Sequence, residues 1–137
     1  MKYSARISGP VLDRIDIQIE VPALTSAELL EATPGEASAV VRERVVAARA
    51  RQRARGWLNS QLPNSALRRY CELDAATRRL VTDAVDRGGM SARAVHRALR
   101  VALTIADLAG EPGASAMRLA EALQYRAHET RSSSPST

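Results

Sequence analysis

The stretch "MSARAVHRALRVALTIADLAG", Met90 to Gly110, decides the fold. Ser91 stands as an N-cap, eighteen helix-forming residues follow, and Gly110 ends the run. With Arg93 placed at zero on a helical wheel, Arg97, Arg100, His96, Thr104 and Asp107 fall within roughly 60° of it. The rest of the circumference holds Val95, Ala98, Leu99, Val101, Ala102, Ile105, Ala106 and Leu108. A helix apolar over two-thirds of its girth must be surrounded by other elements. The spacing therefore predicts a helix over about 92–109 at the centre of a bundle, with one narrow arginine face.

That face is either solvated or anion-binding. Arg93 and Arg97 form a like-charge i,i+4 pair, and within the stripe only Asp107 offers partial relief. Arg93 also lies in the first turn, where the helix dipole disfavours a cation unless an anion shares the site. His96 in this setting reads as a partly exposed surface residue rather than a ligand or a general base.

The neighbouring segments supply the surrounding helices. "TSAELL" (Thr25 to Leu30) predicts a turn or two of helix. "TPGE" sets Thr33 and Glu36 in capping-box register, with Ser38 a second candidate cap, for a helix running to about Arg55. On it Val41, Val45, Ala48 and Gln52 share one arc. Arg42, Arg49 and Arg53 flank that arc on one side, and Arg44, Arg51 and Arg55 on the other, either as stems along a packed seam or as an anion-binding face. "SALRRYC" predicts a short helix capped by Asn64 or Ser65. Asp74 caps a helix over 75–87 that stops at Gly88 and Gly89, and Ser115 caps a last one through about Arg126. The Ser-rich residues 128–137 read as a disordered tail.

Ahead of these helices lies "SGPVLDRIDIQIEVP", Ser8 to Pro22. Ile15, Ile17, Ile19 and Val21 alternate with Asp16, Gln18 and Glu20, which predicts a strand over 14–21. Nothing after Pro22 reads as a partner for it. Asp13 and Asp16 bracket Arg14, either orienting its guanidinium or forming a plain strand-edge charge pair.

Composition narrows the chemistry. The 137 residues carry a formal net charge of +5, and Lys2 is the only cation that is not arginine. Arginine holds its charge and grips phosphate through two parallel hydrogen bonds, so a polyanion partner is permitted. A GxxxxGK[ST] phosphate loop needs a lysine, and Lys2 has no room before it for the glycines. This chain by itself is therefore not expected to hydrolyse a nucleotide. The lone Cys71, with only His96 and His128 in support, offers neither a disulfide framework nor a metal cluster. Without an apolar run of bilayer length or a secretory leader, a cytoplasmic setting away from membranes is expected.

Two segments point to a family. "ISGPVLDRIDIQIEVPAL" resembles the end of the ATPase core in the Mg-chelatase-related AAA+ ATPases, and "GMSARAVHRALRVALTIADLAG" resembles their sensor-2 helix. "AEALQYR" is similar to their closing helix. The resemblance implies a mainly α fold, a helical lid preceded by one strand left over from the core. Residues 1–24 would end the core, 25–127 would form the lid, and 128–137 would trail as tail. It implies that Arg14 is the arginine finger, acting on a neighbouring subunit's ATP, and that Arg93 is the sensor-2 arginine. Arg97 and Arg100 are weaker nucleotide-binding candidates. ATP and Mg2+ would be cofactors of a parent protein, with none held by this portion alone. The partners implied are the parent's own N-terminal ATPase core, identical subunits in a hexameric ring, and DNA, since one branch of the family is associated with DNA branch migration. No porphyrin or metal site is visible to suggest chelation.

Two alternatives remain at this level. The helix over 75–87, the "GGMS" turn and "ARAVHRALR" also read as a helix-turn-helix sending Arg93, Arg97 and Arg100 into a major groove. That reading leaves "LDRID" unexplained and asks for a shorter second helix. The other is a lid that only mediates subunit contacts.

Overall fold

A computed structural model describes residues 11, 14–30, 34–71 and 73–126. Six helices follow one another among them: α1 (Ser26–Leu30), α2 (Ser38–Ala54), α3 (Asn64–Leu67), α4 (Ala75–Asp86), α5 (Ala92–Ala109) and α6 (Ala116–Gln124). A single 3-10 turn, Asn59–Gln61, sits between α2 and α3.

The longest, α5, is the axis on which the others pack. Ser91 Oγ accepts from the N–H of Ala94 at 3.2 Å, closing its first turn. Gly110 ends it at φ 78°, a left-handed conformation that suits glycine. Helices α2, α3, α4 and α6 all lie against α5, and α6 also touches α4. Ala98, Ala102 and Ala106 are fully buried, and Leu103 with them. Alanine lets the helices approach closely, while Leu62, Leu67 and Leu119 fill the space between them. This is the mainly α bundle that the 92–109 pattern predicts.

The Asp74 cap forms as expected, its carboxylate accepting from the N–H of Thr77 at 2.7 Å. That bond holds the Asp74 carboxyl below its ordinary range. Other caps differ. Ser38 is the first helical residue of α2 behind Ala37, and no side chain caps that end; Thr33 lies outside the described residues. Glu36 instead pairs with Arg44 at 2.5 Å. The capping box belongs to Thr25 and Glu28: Glu28 accepts from the Thr25 N–H at 2.8 Å, and the Glu28 N–H donates to Thr25 Oγ1 at 3.3 Å. Asn64 is likewise inside α3 rather than its cap, and its side chain serves Arg100.

The strand expected over 14–21 does not form. Alternation favours a strand only where a sheet supplies a ladder and an apolar cover, and here neither meets it. Ile17, Ile19 and Val21 are more than half exposed. In place of a ladder, the Gln18 N–H donates once, to the carbonyl of Tyr125 at 2.9 Å. Among the described residues the only β-type contact is an isolated parallel bridge between Cys71 and Ala114. The tail over 128–137 lies outside the described residues.

Candidate functional site

The arginine face of α5 separates into three situations. Arg93 is exposed and forms no hydrogen bond or ion pair with a described residue, although it stands in the first turn. Arg97, one turn later, donates from Nε to Asp16 Oδ1 at 2.5 Å. Arg100 donates from Nη2 to the carbonyl of Leu62 at 2.9 Å and to Asn64 Oδ1 at 2.7 Å. It thereby ties α5 to the entry of α3. Arg14 is exposed, and its guanidinium has no described partner.

Asp16 therefore does not pair with the Arg14 guanidinium. Its carboxylate faces Arg97 and also lies 3.5 Å from Nη1 of Arg126, because the backbone folds onto α5 and the end of α6 instead of running along a sheet. Asp13 lies outside the described residues. Asp107 is not relief for the stripe either. It is buried, and Arg55 Nη2 donates to its carboxylate. Asn59 Nδ2 reaches the same oxygen at 2.8 Å and Thr104 Oγ1 at 3.1 Å. The Asn59 N–H donates to Gln52 Oε1 at 3.2 Å, and the Arg55 guanidinium stacks 5.3 Å from the Tyr70 ring centre. This network locks the end of α2 to α5. The buried face of α5 takes in Asp107, whereas Leu108 is exposed.

A groove of about 980 Å³ lies between α2, α5, the end of α6 and the leading segment. Ile17, Ile19, Val41, Val45, Val101, Ile105 and Leu108 line it, with Arg44, Arg97 and Arg100 at its sides. On α2, Ala48 and Gln52 are buried as the seam predicts, but Val41 and Val45 of the same arc are exposed, as are Arg42, Arg49 and Arg53.

The remaining polar groups do structural work. Arg118 donates from Nε and Nη2 to Glu111, at 3.0 and 2.6 Å, which holds the Glu111 carboxyl below its ordinary range. Burial pushes the Cys71 thiol up to about 11, which disfavours the reactive thiolate. His96 is partly buried, and no His, Cys, Asp and Glu cluster suited to a metal occurs among the described residues. His128 lies outside them. No helix among the described residues is long and apolar enough to cross a membrane.

A helical bundle built on one long, arginine-faced helix is the class of domain these features define. Residues 35–126 match the family described as "Magnesium chelatase, subunit ChlI C-terminal", and residues 1–29 match "Magnesium chelatase, subunit ChlI". The chain belongs to this Mg-chelatase family. It is 44% identical to the competence protein ComM of Haemophilus influenzae over 129 residues, which are 93% of this chain and 25% of that protein. It is 40% identical to YifB of Salmonella typhimurium over 129 residues, 93% of this chain and 26% of that protein. It is 39% identical to YifB of Escherichia coli over 130 residues, again 93% and 26%. The chain thus spans about a quarter of the length of the curated relatives it matches.

Proposed function

We propose that this chain is the finger-bearing and nucleotide-sensing end of an AAA+ ATPase that works as a hexameric ring. The observation that carries the reading is Arg93, a cation in the first turn of α5, exposed and without a described partner. A helix N-terminus already holds partial positive charge, so a cation left open there suits an anion arriving from outside. The γ-phosphate of ATP is such an anion. Arg14, equally exposed, is proposed to reach the ATP of a neighbouring subunit and to stabilise charge on the phosphoryl group in transfer. Mg2+ and the rest of the triphosphate would be held by the parent's own core, whose sheet would also supply partners for Ile15 to Val21.

The parent is proposed to act on DNA, as the name of the Haemophilus influenzae relative, a competence protein, suggests. Arg97 and Arg100 are engaged within the chain, by Asp16 and by Leu62 with Asn64. That favours the nucleotide reading over a helix-turn-helix, which would need both arginines for a major groove.

Arg14→Ala and Arg93→Ala, each in the complete protein, test the proposal. Steady-state ATP hydrolysis should fall by about 10³-fold or more for Arg14→Ala, the scale of an arginine finger. Oligomer size by light scattering should stay unchanged. Near-parental turnover in Arg14→Ala would reject the finger role.

A further inference from the structure

Three contacts fasten the segment after Arg14 to the helical body. Asp16 Oδ1 accepts from Arg97 Nε at 2.5 Å and lies 3.5 Å from Arg126 Nη1, and the Gln18 N–H donates to the Tyr125 carbonyl at 2.9 Å. Arg97 belongs to α5, while Tyr125 and Arg126 directly follow α6. These elements are far apart in the chain and meet on one short stretch. The Arg97 and Arg126 side chains are 19% and 5% exposed, so both guanidinium groups are held by packing. The Asp16 side chain is 47% exposed, and it is the member of the set that faces solvent.

From this we infer that Asp16 is a positioning residue that makes Arg14 travel with α5. Arg93 precedes Arg97 by one turn of a continuous helix, a rise of about 6 Å. Arg14 precedes Asp16 by two residues, a reach of at most about 7 Å. A tilt of α5 when Arg93 meets a phosphate is therefore passed through Arg97 and Asp16 to Arg14. The sensing arginine and the finger are two ends of one lever, and Arg97 acts through Asp16 instead of on the nucleotide. The proposal rests on the reading of Arg14 and Arg93 given above.

The Asp16 carboxylate stands half in solvent, where an ion pair adds little to global stability, so removing it should leave the bundle folded. In the complete protein, Asp16→Asn should lower kcat for ATP hydrolysis by about tenfold with KM within about twofold, the signature of lost transition-state alignment. Asp16→Glu should retain most of the rate. The exchange Asp16→Arg with Arg97→Asp should recover part of what either change alone loses, which shows that the two act as a pair, while the loss in kcat at constant KM is the readout a merely structural role would not move. Hydrogen exchange at the Gln18 amide is the second readout, and it should speed up in Asp16→Asn while the α5 amides stay protected.

Arg14→Ala in the same assays separates the two ideas. If Arg14→Ala abolishes turnover while Asp16→Asn leaves kcat untouched, the lever is overturned and the finger stands. If Arg14→Ala hydrolyses ATP normally, the finger fails. The fastening is then decided by exchange alone, supported by a faster Gln18 amide in Asp16→Asn and overturned by an unchanged one.

Discussion

Asp107 is the residue on which the interior depends most. Its carboxylate is closed off from water and answered by Arg55, whose own side chain is 11% exposed, and by Asn59. A buried ion pair gains little over an apolar pair, but half of one is costly, because the remaining charge has nowhere to go. Asp107→Ala should cost about 3–5 kcal/mol, the scale for removing one member of a buried pair. Urea unfolding followed by circular dichroism measures it. The helical wheel could not disclose this role. It places Asp107 on the arginine face, and the partner that draws it inward is far away in the chain, on the last turn of α2. The position of Arg93 was legible for the opposite reason: its place in the first turn of α5 is set within one helix, which local spacing fixes. Asp16 was legible as a charge beside Arg14 but not as the partner of Arg97 and Arg126, since only the folded path of the backbone brings them together.

Among the elements, α5 carries its own boundaries. Ser91, Asp74 and Gly110 act through bonds no more than four residues long, so their roles at the ends of α4 and α5 follow from sequence. Gly110→Ala should cost about 1–2 kcal/mol from the left-handed backbone alone. Its new Cβ would also meet Arg51 Nη2 at 3.3 Å. A thermal melt reads the loss, and a mutant as stable as the parent would refute the strain. The 14–21 segment is the instructive failure. Its alternation is sound as a pattern, yet a pattern names a surface and not a partner. Without a ladder the isoleucines stay open and the backbone settles for a single bond to α6.

For the molecule as a whole, the open arginines and the half-open groove lie on a bundle with its own buried centre. A proposed ring makes a further demand on Arg14: its effect must be felt in the next subunit. Subunits carrying Arg14→Ala, mixed with subunits whose phosphate loop is disabled but whose Arg14 is intact, should regain hydrolysis at the boundaries they share. Each population alone should stay inactive. Titrating the ratio and fitting the activity to the count of mixed boundaries measures it, and strict additivity of the two inactive populations would place Arg14 in its own subunit's chemistry.

The bond from Gln18 to Tyr125 has a consequence for anyone trimming the gene. Front and rear of the described fold are moored to each other, so a deletion that looks confined to the rear also loosens the front and leaves the Asp16–Arg97 pair to hold it. A shortened version stopping ahead of Tyr125 would lose its berth for the isoleucine-bearing stretch as well as the residues that close α6.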